Sequence, residues 1–443
     1  MIIQFKDRKS ETAELKNVLS SNKFEFIIIY GRRRIGKTEL VLHATKNKKR
    51  VYYLATETNN LNRFYQTCIN YDKEISKLRK DWEILFEYLK DKTDTIIIDE
   101  FQNLIKEDKN IVSLFQSIVD TKLKDSKLKL FILGSSVSII TSKVLSYKSP
   151  LYGRRSGSIN LKAISFSDLK EFFPKINFGK LVEIYGFADG IPYYLIKIDG
   201  EFWHWLESEI KQQKTFLKDE IDFIVRYEFE NANTYKLLLE AIANGKTKIN
   251  EIKDFIKAER TDVSPYLKNL IDIGFVKREV PITENINSRL GRYYLSDNFL
   301  KFWFSYIYPN LSAIEENIFS IEKIKNNYNS YLGFVFEQIC RQFIIKLKPF
   351  NFTKIGRWWY KDTEIDLVAL NEQENKIAFI ECKWQDNVNP EEVLTALKEK
   401  IKQVKWKNEK RKESYCIIAK SFTKKVNQDN LILYNLKDLE KAL

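Results

Sequence analysis

The segment Gly31-Arg-Arg-Arg-Ile-Gly36-Lys37-Thr38 fits the spacing G-x-x-x-x-G-K-[ST]. It lies between an apolar run, Phe24 to Tyr30, and an amphipathic stretch, Glu39 to Thr45. A strand feeding a glycine-bounded loop and then a helix is the setting of a phosphate-binding loop. The glycines let the backbone curl around a polyphosphate, and successive N–H groups and the helix N-terminus face the anion. Lys37 adds a cation, and Thr38 offers its hydroxyl to Mg2+. Gly31, Arg33, Arg34, Gly36, Lys37, Thr38 and Glu39 are therefore assigned to a nucleoside triphosphate. The alternative is a basic turn ahead of an ordinary helix.

Downstream, strand-like runs at Val51 to Ala55, Thr95 to Asp99 and Leu128 to Leu133 alternate with helical segments. Near-continuous apolar strands separated by helices predict a parallel sheet covered on both faces. The run Thr95-Ile-Ile-Ile-Asp99-Glu100 delivers two carboxylates at the sheet edge expected to face the loop. Asp99 is placed to hold Mg2+, and Glu100 to orient or deprotonate the attacking water. Gly134-Ser135-Ser136 ends the third strand, and Ser136 is read either as a sensor of the terminal phosphate or as part of a structural turn. Tyr152-Gly153-Arg154-Arg155 places guanidinium groups in a loop. Arg154 is read as an arginine finger, in its own subunit or in a neighbour's within a homo-oligomer, or else as part of a solvated basic loop.

A length of 443 residues with 44% apolar and 14% aromatic content predicts two to four folded domains. The excess of 74 Lys and Arg over 60 Asp and Glu, a formal charge of +14, favours polyanionic partners. Four scattered cysteines argue against a disulfide framework or a thiolate zinc site, and a reducing, cytoplasmic setting is expected. With two histidines in the chain, imidazole catalysis is not expected. The start at Met1 to Arg8 does not have the pattern of a signal peptide, and no apolar run reaches the ~18 residues that a membrane span needs.

Phe5-Lys-Asp-Arg8-Lys-Ser-Glu11, GRRRIGKT, IIIDEFQNL and Gly190-Ile191-Pro192-Tyr-Tyr-Leu together resemble the archaeal-type P-loop ATPases of the STAND class over roughly residues 1–310. The resemblance implies ATP rather than GTP, adenine contacts near Arg8 and Pro192, and a switch coupling nucleotide state to attached domains. That family often has Gly-Gly before the proline-bearing turn, and here Asp189 takes the first place.

Residues 234–296 read as three short amphipathic helices and a two-stranded hairpin, with Ser264-Pro265 opening the third helix. This is the layout of a winged helix-turn-helix, in which Lys277, Arg278 and Arg292 are candidates to touch DNA phosphates. The third helix carries only Lys268 as a cation, so a spacer or protein-docking role stands beside the DNA reading.

The last section reads as a long helix, Tyr331 to Leu347 with Glu337, then three strands, a helix and a strand, the order of a PD-(D/E)XK nuclease core. Its chemistry lies in Thr363-Glu-Ile-Asp366 and Phe379-Ile-Glu381-Cys-Lys383. Alternation along a strand puts Glu381 and Lys383 on one face, roughly 6.6 Å apart at about 3.3 Å per residue. Asp366 and Glu381 are candidates to hold Mg2+ or Mn2+, and Lys383 to activate the water, with Glu337 as an outer carboxylate. The bland alternative is a Glu–Lys surface pair. The region resembles the PD-(D/E)XK-like domain of unknown function that often follows the archaeal-type ATPase module, with Ile365 in place of the eponymous proline. A run of lysines that includes Lys398, Lys400 and Lys402 either tracks a nucleic-acid backbone or forms a solvated face.

The fold expected is thus α/β and multidomain. It comprises a P-loop domain of the ASCE type with helices on both faces of a parallel sheet (1–175), a helical lid or connector (176–232), a winged helix (233–324) and a PD-(D/E)XK-like α/β domain (325–443). The function expected is an ATPase regulating an attached DNA-binding, metal-dependent nuclease module. Its alternatives are a non-cleaving switch for DNA or protein and an ATPase whose attached domains bind only protein.

Overall fold

The computed structural model describes residues 6, 8–212, 216–258 and 262–442. Phe5 and Asp7, which carry part of the family resemblance, lie outside the described residues. The chain divides into two compact units. The first comprises 1–164 with the short segments 191–196 and 272–274, and the second comprises 165–190, 197–271 and 275–443.

The first unit is built on a five-stranded sheet: β1 (Glu25–Tyr30), β2 (Arg50–Leu54), β3 (Thr95–Asp99), β4 (Lys129–Gly134) and β5 (Gly157–Asn160). All neighbours are parallel, in the order β2-β3-β4-β1-β5. β4 is inserted between β1 and β3, so the phosphate-loop strand and the acidic strand are not adjacent. Every residue of β3 and β4 is buried, as apolar runs covered on both faces must be. The unit's longer helices are α1 (Lys9–Ser20), α2 (Lys37–Ala44), α3 (Asn60–Tyr71), α4 (Trp82–Leu89), α5 (Gln102–Glu107) and α6 (Ile111–Ile118). On one side of the sheet, α3, α4 and α6 bring together Phe64, Trp82, Phe86 and Phe115. The Phe64 and Trp82 rings stack at 4.8 Å. This aromatic cluster holds β3, and with it Asp99, in a fixed position.

The second unit includes α7 (Phe178–Ala188) and passes through further helices to α8 (Ala232–Ala243), α9 (Ile249–Phe255) and most of α10 (Ser264–Ile273), whose last residues count with the first unit. The antiparallel hairpin β6 (Val276–Glu279) and β7 (Arg292–Leu295) follows. Next come the 26-residue helix α11 (Glu322–Leu347) and a second five-stranded sheet. That sheet contains β8 (Lys354–Tyr360), β9 (Thr363–Asn371), β10 (Lys376–Lys383), β11 (Lys412–Ala419) and β12 (Leu431–Tyr434), ordered β12-β11-β10-β9-β8. β8, β9 and β10 form an antiparallel meander, and β11 and β12 add in parallel. Joining parallel strands requires a crossover, and α12 (Pro390–Ile401) supplies it between β10 and β11. Asn389 caps that helix by accepting from the Glu391 N–H, and Pro390 sits in its first turn. Glu391 and Glu392 lie at its start and Lys398 and Lys400 in its last turn, matching the helix dipole. Leu397 and Ile401 of α12 bury against Phe379 and Val368 of the sheet.

The hairpin is fastened to β8. The Ile282 N–H donates to the carbonyl of Arg357 (3.0 Å), and Trp359 Nε1 donates to the carbonyl of Leu290 (3.0 Å). Arg292 pairs with Glu364 at 3.0 Å and lies over the Trp359 ring. Among the described residues no helix is long and apolar enough to cross a membrane.

Candidate functional site

In the first unit, the loop between β1 and α2 takes its shape from two glycines. A Cβ on Gly31 would run into the carbonyl of Leu161, and Gly36 has φ 92°, a region that disfavours side chains. Lys37 is buried, and its Nζ donates to the carbonyls of Gly31 (2.9 Å) and Arg32 (3.0 Å), so the ammonium lies folded into the loop. The Thr38 hydroxyl donates to Asp99 Oδ2 at 2.6 Å, and the Tyr52 hydroxyl donates to the same oxygen at 3.0 Å. Burial pushes the Asp99 carboxyl above the usual carboxylate range, and Glu100 adds to the shift while the Thr38 hydrogen bond opposes it. Burial and then the charge of Asp99 hold the Tyr52 phenol well above its ordinary value. This all-oxygen donor set at a loop terminus fits a hard divalent cation bridging protein and phosphate.

Glu100 adopts φ 53°, an uncommon conformation for a residue with a side chain, which lets the strand end and the carboxylate turn. Its Oε2 accepts from the Ser135 hydroxyl at 2.5 Å and from Gln102 Nε2. It is thus Ser135 that reaches Glu100. Ser136 lies one residue on, buried, with its carbonyl accepting the Ile140 N–H. Tyr52 and Gln102 are site residues that motif reading missed. The signal for Tyr52 was its place on β2, where it pairs with Ile97 two residues before Asp99; for Gln102 it was its position two residues after Glu100.

Around the loop, Arg8 is buried, donates to the carbonyl of Ile35 (3.1 Å) and pairs with Glu11 (3.2 Å). Pro192 packs beside Gly36, and the Arg34 guanidinium lies 3.8 Å from the centroid of the Tyr193 ring. Arg33 is half-buried in the loop, and Glu39 is exposed in the first turn of α2. Arg154, expected either as an arginine finger or as part of a basic loop, rests here in an ion pair. Its guanidinium grips Asp120 (Nε–Oδ1 3.1 Å, Nη2–Oδ2 3.0 Å) and donates to the carbonyl of Pro150 (2.9 Å), so those bonds must open before it could reach a phosphoryl group.

In the second unit, Asp189 stands at φ 52°. This is backbone a glycine adopts at little cost, in keeping with the Gly-Gly that the family resemblance leads one to expect there. Asp189 is held by N–H groups of Gly190 (2.7 Å) and Asn298 (2.9 Å).

The C-terminal sheet gathers the acidic and basic residues expected there. The last β9–β10 ladder pair is Ile380 with Leu367, so Asp366 and Glu381 are cross-strand neighbours one step farther on. Asp366 Oδ2 accepts the Cys382 N–H at 2.8 Å. Glu381 is 2% exposed, and each of its oxygens is held by an ammonium: Oε2 by Lys383 (2.8 Å) and Oε1 by Lys400 (2.7 Å). Burial pushes the Asp366 carboxyl up, and the Glu381 charge adds to it. For Lys383 burial works against the charge, but Glu381 prevails and raises it. Lys400 is the residue that sequence reasoning left in a generic lysine run. Its place between Leu397 and Ile401, on the face of α12 that packs on the sheet, was the available signal.

Glu337 sits on α11 in an ion pair with Arg357 (2.7 Å), and burial pushes its carboxyl up. Among the described residues no three His, Cys, Asp or Glu side chains form a metal-holding group. Two carboxylates remain, which suits a Mg2+-type ion that keeps waters and substrate oxygens as its other ligands. The three hairpin cations expected to touch phosphates have partners inside the protein. Arg278 donates to the carbonyls of Ile286 and Ser288, Arg292 pairs with Glu364, and Lys277 pairs with Glu279 (2.6 Å).

Comparison with known proteins places both units. Residues 5–198 match the family described as "ATPase domain predominantly from Archaea", and 303–417 match "Archaea bacterial proteins of unknown function". The uncharacterized protein MJECL04 of Methanocaldococcus jannaschii is 51% identical over 441 residues, 98% of this chain and 99% of that one. The uncharacterized ATP-binding protein MJ0423 of the same organism is 46% identical over 48 residues, 11% of this chain and 81% of that one. The Walker-type ATPase paby2304 of Pyrococcus abyssi superposes with a TM-score of 0.54 at 20% identity, over 68% of this chain and 96% of that one, a likeness of fold. The chain therefore belongs to the family of MJECL04, in which an archaeal-type P-loop ATPase domain precedes a C-terminal α/β domain of an archaeal and bacterial family of unknown function.

Proposed function

We propose that this protein is an ATP-operated switch whose first unit binds and hydrolyses ATP and whose second unit binds DNA and cuts it in a metal-dependent reaction. At the P-loop, the backbone of 31–38 and Lys37 bind the phosphates, Thr38 and Asp99 hold Mg2+, and Glu100 orients the attacking water. Arg8 and Pro192 flank the adenine. In the second unit we take 233–324 as a winged helix and 325–443 as a nuclease-like domain. There Asp366 and Glu381 hold the divalent ion, which supplies Lewis-acid polarisation of the phosphodiester. Lys383 holds the water in line, and Lys400 keeps Glu381 oriented.

The observation that carries the nuclease reading is the buried Glu381 carboxylate, next to Asp366 on the neighbouring strand and gripped by Lys383 and Lys400. A surface Glu–Lys pair needs neither burial nor a second ammonium. The test is incubation of the full chain with supercoiled plasmid and Mg2+ or Mn2+. Nicking that disappears in Lys383→Ala is expected, and identical plasmid profiles for the two proteins reject cleavage.

That same double grip on Glu381 favours a second reading, a switch that binds DNA or protein without cutting. It predicts intact plasmid together with nucleotide-dependent, salt-sensitive DNA retention.

A further inference from the structure

Between the hairpin and the C-terminal sheet runs a cleft of about 350 Å³. Lys277 and Glu279 of β6 line it on the hairpin side, Glu337, Gln338 and Arg341 line it from α11, and Asp366 lines it from β9. We infer that this cleft admits a single unpaired DNA strand, whose phosphates are held by Lys277 and Arg341 while the strand passes Asp366. The inference rests on Asp366 belonging to a phosphodiesterase site.

Size is the first argument. Ligand pockets span ~300–1,000 Å³, so this one has room for about a nucleotide unit. A double helix does not fit, since its major groove alone is ~12 Å wide. The hairpin does not swing clear by itself, because the bonds from Ile282 to Arg357, Trp359 to Leu290 and Arg292 to Glu364 fasten it along β8.

Charge is the second. Arg341 is exposed and, among the described residues, makes no ion pair, and Lys277 pairs with Glu279, two residues along its own strand. A cation therefore stands on each wall of a cleft whose other charged lining residues are Glu279, Asp366 and the paired Glu337 and Arg357, and a phosphate backbone is the ligand that such walls favour. Phe334 also lines the cleft, but Lys301 lies 3.1 Å from its ring centroid and Tyr294 stacks near it, so its ring is not a platform for a base. Contact is then with the backbone and independent of sequence.

The test uses fluorescence anisotropy of the full chain in EDTA, with a labelled oligothymidylate and a labelled blunt duplex. The single strand is expected to bind about tenfold more tightly, as a cleft of this volume excludes the second strand. Lys277→Ala and Arg341→Ala should each weaken single-strand binding and lower the salt slope by about 1. Lys268→Ala, an exposed cation on α10 away from the cleft lining, should change neither. Unaltered melting curves establish that the variants fold. Duplex binding that equals or exceeds single-strand binding overturns the inference, and so does unchanged affinity in both cleft variants. Adding Mg2+ separates the two ideas. A strand bound through Lys277 and Arg341 but never cut upholds the cleft and rejects the phosphodiesterase; duplex nicked by a protein that ignores the single strand does the reverse.

Discussion

The Thr38 hydroxyl donates to Asp99 Oδ2 across 2.6 Å, joining the first turn of α2 to the end of β3 within the first unit. Tyr52 holds the same oxygen from β2. The two ligands proposed for Mg2+ are thus already side by side, which lowers the ordering cost of binding.

Nucleotide binding and turnover should separate by mutation at this site. Lys37→Ala is expected to lose ATP affinity in calorimetry. Glu100→Gln should retain affinity while phosphate release falls by about 10²–10⁴-fold, the usual range for a positioned acid–base group. Turnover near the wild-type rate in the Glu100 variant would move the base to another residue.

Arg154 offers a contrast between anchoring and catalysis. Its pair with Asp120 is well exposed (34% and 41%), so the coupling in a double-mutant cycle of Arg154→Ala and Asp120→Ala should be about 0.2–1 kcal/mol. If Arg154 only anchors its loop, Asp120→Ala and Arg154→Ala change hydrolysis equally little. A loss of kcat confined to Arg154→Ala supports the finger.

Asp189 should make the stability of the second unit depend on pH. Burial, reinforced by Asp297, pushes its carboxyl up to about 6 despite the Asn298 and Gly190 N–H groups. A raised acid means that the folded state holds the proton more tightly than the unfolded chain. Its contribution is therefore full below about pH 4 and fades as pH rises through about 6, by about 3 kcal/mol at most. Denaturant melts at stepped pH should show that decline in the wild type and a shallower one in Asp189→Asn.

Arg292 is expected to act on stability before it acts on DNA. Removing it takes one guanidinium from Glu364, which keeps Arg357 at 2.9 Å, and takes the cation from the Trp359 ring, which should cost about 0.5–1 kcal/mol. The salt slope of DNA binding should stay unchanged in Arg292→Ala, whereas a slope reduced with no loss of stability would place this residue on the phosphate backbone.

The first unit was the more legible in the sequence because its signals are local. Gly31 to Thr38, the apolar strand before it and Asp99-Glu100 at the end of another are each contiguous, and a parallel sheet follows from strand and helix alternation. The second sheet was legible as an order of elements, since alternation alone put Glu381 and Lys383 on one face. What remained hidden were long-range partners. Tyr52 on Asp99, Ser135 on Glu100, Lys400 on Glu381 and Asp120 on Arg154 are joined by folding across 19 to 47 residues of chain. The partners of Arg292 were hidden for the same reason, because Glu364 and Trp359 lie far along the chain from it.

β8 is the outermost strand of its sheet, and a bare outermost strand invites pairing with other chains. The hairpin sheathes it through the Ile282–Arg357 and Leu290–Trp359 bonds. A fragment starting at residue 325 would uncover that flank and, with it, the Trp359 ring, so it should clump on expression even if every remaining strand folds.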